Sequence, residues 1–259
     1  MNYFHAIILG IVEGVSEFLP ISSTGHMILT AKILGLSQSE FIKSFEIIIQ
    51  LGAILAVVAL YWRKMLLNPE IMKRVLAAFV PTMVIGFILY KIIKKFLLED
   101  YRIVLASLAV GGLFLIFFEK FYRGPEKKIE SIAEISYPKA LWIGLCQALA
   151  VIPGVSRSAA TIIGGLYAGV ERSVIVEFSF LLAIPTMAAA TGLDLLKSAG
   201  SFSFDQFGLL AAGFIVSFLV AILCVRWFLG YVRKHSFVAF GVYRLLLVLA
   251  FCLLIRGRS

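Results

Sequence analysis

The chain has 259 residues, of which 61% are hydrophobic and 15% are charged, and its mean hydropathy is +1.00. Soluble domains carry roughly a quarter charged residues, so this composition excludes a soluble enzyme and predicts an all-α protein that crosses the membrane several times. The net charge of +9 is typical of the basic loops that membrane proteins keep in the cytoplasm, and we expect no nucleic-acid partner.

The first predicted element, about 3–35, is an apolar segment interrupted between Pro20 and Gly25. Each half is too short to cross a bilayer, which takes about 20 residues, so we expect a re-entrant pair of helices that enters and leaves on one side. A single kinked span is the alternative, because proline and glycine are tolerated in ordinary spans. Three transmembrane helices follow, at about 42–62, 75–95 and 102–120.

A charged loop of about 123–135 leads into a second half with the same order of elements. The segment of about 138–169 is broken between Pro153 and Ser158, and we expect a second re-entrant pair there. Three more spans follow, at about 173–196, 207–230 and 237–255. The prediction is therefore a membrane protein with about six transmembrane helices and two re-entrant broken pairs.

The two halves resemble each other in sequence. Pro20 and Pro153 are separated by the same number of positions as Ser23 and Ser156. We predict a single membrane domain, residues 1–259, with a first repeat of about 1–122, a second of about 136–259 and a hinge loop between them. Because three spans per repeat is an odd number, the second repeat must be inserted in the opposite orientation.

Basic residues predict which side of the membrane is cytoplasmic. One side is richer in lysine and arginine, among them Arg63, Lys64, Arg123 and Lys139, and the richer side is normally cytoplasmic. Both termini then face outwards. The first broken segment enters the membrane from outside and the second enters from inside.

Glu13 and Glu17 lie in the first broken segment, four residues apart and therefore on one face of a helix. Two adjacent carboxylates in apolar surroundings repel each other unless one is protonated or a cation lies between them. Mg²⁺ and Ca²⁺ prefer oxygen ligands, so we predict that the pair binds a divalent cation. A pair of protonated or hydrogen-bonded structural glutamates is the alternative.

Three hydroxyl residues, Ser22, Ser23 and Thr24, follow the proline break and precede His26. A hydroxyl at this position can cap the next half-helix, or it can be a nucleophile if a base activates it. Because Ser23 and His26 are about one helical turn apart, we predict that they form a nucleophile and base, and that Ser22 and Thr24 contact phosphate. A structural histidine is the alternative.

Arg157 lies in the second broken segment, between Ser156 and Ser158. A guanidinium carries a planar fork of donors that fits phosphate. A half-helix that begins near Ser156 would also direct its free N–H groups at an anion. We predict that these three residues bind phosphate. Pairing of Arg157 with Glu13 or Glu17 across the repeat interface is the alternative.

Together these groups suit phosphoryl transfer. A metal, an arginine and a helix N-terminus would stabilise charge on the transferred group while a hydroxyl or a water attacks. The apolar surroundings imply a substrate with a lipid tail. A lipid-phosphate flippase or an anion transporter is the alternative, because inverted repeats and broken helices are also typical of transporters. A flippase does not need a carboxylate pair beside a serine and a histidine, which favours the enzyme.

The motifs resemble those of the bacterial undecaprenyl-diphosphatase family, the bacitracin-resistance type. The resemblance covers essentially the whole chain, and the matching stretches are Glu13-x-x-x-Glu17, Ser22-Ser-Thr-Gly-His26, Phe45-Glu46 with Gln50, Pro153-Gly-x-Ser-Arg-Ser-x-x-Thr161 and Glu177-Phe-Ser-Phe180. It implies removal of one phosphate from undecaprenyl diphosphate, which recycles the lipid carrier of cell-wall synthesis and confers bacitracin resistance. It also implies a divalent cation, the bacterial inner membrane as location, and a site open to the outer face.

Roles follow from the resemblance for the matching residues. Glu13 and Glu17 would hold the cation, Mg²⁺ or Ca²⁺, and position the diphosphate. Ser23 would attack or orient a water, and His26 would be the base or acid. Arg157 would grip the phosphate. The implied partners are the membrane and a polyprenyl diphosphate substrate, and the formation of a homodimer is left open.

Overall fold

The structure is a computed structural model that describes residues 1–36, 39–92, 101–126, 128–198 and 206–256. Within these ranges the chain forms ten α-helices, two short 3₁₀ turns and no strand, which confirms the all-α prediction. Ile129 in the hinge loop and Val170 after the second broken segment form an isolated bridge. This bridge attaches the hinge loop to the second half.

Each half contains a broken pair of short helices followed by three longer helices, as predicted. The first half consists of α1 (Tyr3–Ser16), α2 (Ser23–Ile33), α3 (Glu40–Leu67), α4 (Pro69–Ile92) and α5 (Tyr101–Phe121). The second half consists of α6 (Tyr137–Ala148), α7 (Arg157–Tyr167), α8 (Arg172–Ser198), α9 (Phe207–Val232) and α10 (Val238–Arg256).

Among the described residues, five helices contain a stretch that is long and apolar enough to cross a membrane. These stretches are Phe41–Leu67, Pro69–Leu89, Tyr101–Phe121, Arg172–Gly192 and Phe207–Val232. The sixth predicted span forms α10, whose apolar part, Val238–Leu254, is shorter than the other five. Positions 93–95 of the second predicted span lie outside the described residues. The protein is thus a multi-span membrane protein.

The four helices of the broken pairs are too short to cross. The longest, α1, has 14 residues, or about 21 Å at the rise of an α-helix, whereas the hydrocarbon core of a bilayer is about 30 Å thick. Both breaks fall where proline and glycine predict them. The alternative of one continuous kinked helix is not what the described residues form.

Helices of the first half pack on helices of the second half. Helix α1 packs on α9 and α6 packs on α4, while α3 meets α8 and α5 meets α10. Exchanging the two halves converts the α1–α9 contact into the α6–α4 contact and leaves the α3–α8 and α5–α10 contacts unchanged. Close approach of backbones explains two of them, because a Cβ on Gly10 would lie 2.7 Å from the Gly213 carbonyl oxygen and one on Gly144 would lie 1.9 Å from that of Ala78. The opposite membrane orientation of the halves stays a prediction.

The first break is shaped by Ser22. Its φ of 71° lies in the left-handed region, which a residue with a side chain rarely adopts. Its Oγ accepts a hydrogen bond from the N–H of Gly25 at 3.4 Å and so caps α2. Phe18, in the same break, is fully buried and packs edge-on against Phe180 of α8, with ring centroids 5.5 Å apart. The first break is therefore held against the second half of the chain.

The second break requires a glycine. Gly154 has a φ of 92°, and a Cβ at this position would lie 2.6 Å from the Val104 carbonyl oxygen on α5. Two residues later, the Oγ of Ser156 accepts a hydrogen bond from the N–H of Ala159 at 3.2 Å. This cap starts α7 at Arg157 and confirms the prediction of a half-helix that begins next to Ser156.

Candidate active site

Glu17 is the point at which the two broken segments meet. The Oγ of Ser23, the first residue of α2, donates a hydrogen bond to Oε2 of Glu17. The Nη2 of Arg157, the first residue of α7, lies 3.2 Å from Oε1 of the same carboxylate. Glu17 is only 7% exposed, and charge-assisted hydrogen bonds are strong in such surroundings. One buried carboxylate thus joins the predicted nucleophile to the predicted phosphate-binding arginine.

The guanidinium of Arg157 is held by both halves of the chain. Its Nη1 donates to the carbonyl oxygen of Ser179 on α8 at 3.0 Å, and its carbon Cζ lies 6.0 Å from the ring centre of Phe18. Its Nε is buried and has no hydrogen-bond partner among the described residues. The ion pair with Glu17 that the sequence left open is therefore present, and one donor of the fork remains for a further acceptor.

Glu13 is fully buried, and neither of its carboxylate oxygens has a hydrogen-bond partner among the described residues. It interacts electrostatically with Glu17, Glu46 and Arg157. Glu46, on α3, was singled out from the sequence only through the family resemblance. A glutamate inside an apolar span is itself a signal of a functional site, and that signal could have placed Glu46 beside Glu13.

The predicted cation fits the surroundings of Glu13. A buried carboxylate without a donor is costly unless it takes a proton or a positive partner. In the part of the chain that the structure describes, no group of three or more His, Cys, Asp or Glu side chains is arranged to hold a metal. A cation on Glu13 and Glu17 would therefore take its other ligands from water and phosphate oxygens, which is how Mg²⁺ is commonly bound.

His26 is buried beside Ser22 and Tyr243 rather than against Ser23. Its Nδ1 lies 2.7 Å from the carbonyl oxygen of Ser22, and since a carbonyl can only accept, Nδ1 carries the proton. Its Nε2 lies 2.8 Å from the hydroxyl of Tyr243 and accepts from it in the neutral ring. Within the described residues, Ser23 is hydrogen-bonded to Glu17 and not to the expected His26. The structure thus places a carboxylate in the position expected of a base.

The hydroxyls of Ser156 and Ser158 tie the second broken segment to the first. Ser156 donates to the Leu19 carbonyl oxygen at 3.3 Å, and Ser158 donates to that of Phe18 at 2.8 Å. These contacts explain how the start of α7 is held beside the first break. Contact of the two serines with phosphate stays a prediction.

The other two predicted phosphate ligands lie at the start of α2. Ser22 is buried and its Oγ is engaged as the helix cap, while Thr24 is half-buried in the first turn. The structure thus brings all nine predicted site residues to two adjoining breaks. The sequence did not single out Tyr243, which reaches this region from α10, because tyrosine is common in apolar helices.

Comparison with known proteins shows the family of the chain. The family model of the bacitracin resistance protein BacA matches residues 6–250. The undecaprenyl-diphosphatase of Aquifex aeolicus is 54% identical over 256 residues, which cover 97% of this chain and 98% of that protein. Those of Sulfurihydrogenibium sp. and Wolinella succinogenes are 50% and 47% identical, with 95% and 97% of this chain covered and 97% of each relative. Since this match covers nearly the whole chain, including both breaks and all the predicted site residues, the chain belongs to the BacA family of bacitracin resistance proteins.

Proposed function

We propose that this protein is an integral membrane phosphatase that hydrolyses undecaprenyl diphosphate to undecaprenyl phosphate and inorganic phosphate. Its relatives that carry the name undecaprenyl-diphosphatase match it over nearly its whole length. The observation that carries the proposal is the contact of Ser23 and Arg157 with the two oxygens of Glu17. A hydroxyl, a base and an anion-binding group at one buried point are the parts that phosphoryl transfer needs.

In the proposed reaction, Oγ of Ser23 attacks the terminal phosphorus of the diphosphate. Its proton passes to Oε2 of Glu17, the atom that already accepts the hydrogen bond. The bond between the terminal phosphorus and the bridging oxygen breaks, and its electron pair leaves with undecaprenyl phosphate. Water then releases phosphate from the serine. Direct attack by a water that Glu17 activates is the alternative route to the same products.

Arg157 and His26 complete the proposed chemistry. The free Nε of Arg157, together with Nη2, would turn to the phosphoryl oxygens, where a planar fork stabilises the charge that develops in the transition state. Because Nδ1 of His26 is fixed by the Ser22 carbonyl, Nε2 is the atom left to exchange a proton. We assign to it the second proton transfer, at the leaving lipid phosphate or at the hydrolytic water.

A divalent cation, Mg²⁺ or Ca²⁺, is the proposed cofactor, and Glu13 and Glu17 are the residues that would hold it. Bound there, it would neutralise negative charge on the diphosphate. The unpartnered oxygens of Glu13 support this assignment. In the absence of a cation, Arg157 compensates the charge of Glu17, while Glu13 has no hydrogen-bond donor among the described residues.

We further propose that the protein lies in the bacterial inner membrane with its site open to the outer face. The excess of lysine and arginine on the side of the hinge loop supports this orientation. In this position the enzyme would recycle the lipid carrier of cell-wall synthesis and confer bacitracin resistance. The inverted orientation of the two repeats belongs to the same proposal. Association into a homodimer stays a prediction.

The test is phosphate release from undecaprenyl diphosphate by the purified full chain, with Mg²⁺, with Ca²⁺ and with a chelator. We expect one phosphate per lipid and loss of turnover with the chelator. A flippase is the competing function, because the order of broken and long helices also suits transport. Movement of labelled polyprenyl phosphate across vesicles, without phosphate release from the diphosphate, would overturn the proposal in favour of the flippase.

A further inference from the structure

Two consecutive residues of α10 contact the two broken segments. The hydroxyl of Tyr243 lies 2.8 Å from Nε2 of His26, in the first segment. The Nη2 of Arg244 donates to the carbonyl oxygen of Gly154, in the second segment, at 2.6 Å. Neither Tyr243 nor Arg244 belongs to the motifs that the sequence singled out. A single turn of α10 is therefore bonded to both parts of the site.

Arg244 is an unusual side chain for its surroundings. It is 1% exposed and is the largest of the fully buried side chains, and no carboxylate of a described residue pairs with it. Its Nη2 also donates to the Ser107 carbonyl oxygen on α5 at 3.2 Å, while its Nε has no partner among the described residues. Helix α5 leaves space for it at Gly111, where a Cβ would lie 2.5 Å from Nη2. Burying a guanidinium without a carboxylate partner lowers the stability of the folded protein, which indicates that Arg244 has a role beyond packing.

The contact with Gly154 indicates that role. Gly154 holds the left-handed turn of the second break, three residues before Arg157, and its carbonyl oxygen is fixed by Arg244. The backbone on the other side of this turn is capped by Ser156. Arg244 thus restrains the turn from which Arg157 reaches Glu17. A small displacement of such a turn misaligns a phosphate-binding group.

The contact with His26 is of the same kind. The ring of His26 has two hydrogen bonds, one from Nδ1 to the Ser22 carbonyl and one between Nε2 and Tyr243. The two rings are nearly parallel, with an interplanar angle of 3°. Removing the Tyr243 hydroxyl would leave Nε2 without its present partner and would free the ring to turn about the remaining bond.

We propose that Tyr243 and Arg244 are positioning residues for the hydrolysis of the lipid diphosphate. Tyr243 orients His26, and Arg244 orients Arg157 through the turn at Gly154. The inference rests on the proposed phosphatase function. It assigns to α10 two further contacts that fix the broken segments, in addition to those that Arg157, Ser156 and Ser158 make with the first segment.

The first test is turnover of undecaprenyl diphosphate by purified Tyr243→Phe protein. We expect kcat to fall about five- to tenfold, the effect of losing one hydrogen bond to a functional group. The matched control is Tyr122→Phe, which removes a hydroxyl that donates to the Leu166 carbonyl at 2.5 Å, outside the site. We expect the control to stay within about twofold of the unmodified protein. Equal turnover of the two variants would overturn the role of Tyr243.

The second test compares Arg244→Gln with Arg244→Lys. We expect Arg244→Gln to lose about 10²-fold in kcat/KM, because misplacement of a positioned group has effects of that size. Lysine should recover part of the loss, since one nitrogen, Nη2, makes both carbonyl contacts of Arg244 and an ammonium can do the same. Thermal unfolding of each purified variant separates loss of folding from loss of positioning. A folded Arg244→Gln protein with unchanged turnover would contradict the proposal.

Double variants test whether each residue acts through its named partner. Tyr243→Phe should change turnover by less than about twofold in a His26→Gln protein, and Arg244→Gln should do the same in an Arg157→Lys protein, because coupled residues are not additive. In the crossed pairs, Tyr243→Phe with Arg157→Lys and Arg244→Gln with His26→Gln, the effects of the two substitutions on turnover should multiply. Full multiplication in all four pairs would overturn the proposal. Absence of phosphate release by the unmodified protein would instead refute the phosphatase function.

Discussion

Ser23 and Glu17 form a hydrogen bond in which the hydroxyl donates to Oε2 of a carboxylate that is itself buried. In the proposed mechanism this contact makes Glu17 the base for a serine nucleophile and leaves His26 for a different proton transfer. We therefore expect Ser23→Ala to abolish nearly all turnover, since the attacking oxygen is lost. A phosphoserine at this position should be found by mass spectrometry after rapid quenching of the unmodified protein.

Direct attack by water would give different results from a serine nucleophile. If water attacks directly, no phosphoserine should form; oxygen from ¹⁸O-labelled water reaches the released phosphate by either route and does not distinguish them. Under direct attack by water, Ser23→Thr, which keeps the hydroxyl, should retain appreciable turnover. Under the serine mechanism we expect the bulkier threonine in this packed break to lose most activity.

Arg157→Lys should lose about 10²-fold or more in turnover. Lysine keeps the charge but cannot donate to Glu17, to the Ser179 carbonyl and to a phosphate from one rigid plane. The matched control is Arg172→Lys, because Arg172 also binds a carboxylate, that of Glu119, but about two helical turns before Ser179 on α8. Near-normal turnover in Arg157→Lys, with the amount of protein confirmed, would show that charge alone is sufficient there.

Glu13→Gln tests the cation site without changing Glu17, the proposed base. The amide keeps the size of the side chain but removes the negative charge that a hard cation prefers. We expect the midpoint of activation to move to higher Mg²⁺ or Ca²⁺ concentration, and the rise in thermal stability on adding the cation to shrink. Glu70→Gln, on the exposed start of α4, is the control. An unchanged response to the cation in Glu13→Gln would remove Glu13 from the cation site.

Gly111→Ala should disturb Arg244 without touching either motif. The new Cβ would lie 2.5 Å from Nη2, so the guanidinium must move away from the Gly154 carbonyl. We expect turnover to fall at least about tenfold while the protein still folds, because the end of a long side chain moves more easily than a helix backbone. Gly86→Ala, where no atom lies within 4 Å of the new Cβ, should be neutral. Equal activity of both variants would contradict the role of Arg244.

Much of the fold could be predicted because proline and glycine interrupt apolar sequence at two related positions. The broken pairs, the three helices after each pair and the start of α7 next to Ser156 follow from those interruptions. The boundary between the first two spans was predicted less well, because α3 continues to Leu67 and α4 begins at Pro69, whereas we expected the spans to end at about 62 and begin at about 75. Apolar composition shows where a span becomes charged, but a helix can continue beyond that point.

The site was predictable in its residues but less so in its contacts. Helical spacing places His26 near both Ser22 and Ser23. The sequence does not show the left-handed backbone of Ser22, whose carbonyl oxygen accepts the hydrogen bond from Nδ1 of His26. Arg244 escaped notice because its importance depends on a contact with Gly154, far away in sequence. An arginine within an apolar helix was nevertheless the available signal.

The exchange of packing partners between the halves has a consequence for how the protein is made. During synthesis α1 emerges well before α9, the helix that covers its glycine-containing face. The first broken pair must therefore wait in the membrane without its partner while most of the chain is inserted. The catalytic centre is finished last of all, when α10 arrives and Tyr243 and Arg244 join the two motifs. A chain that stops after α9 would contain every motif residue but would lack Tyr243 and Arg244, so the site would be incomplete.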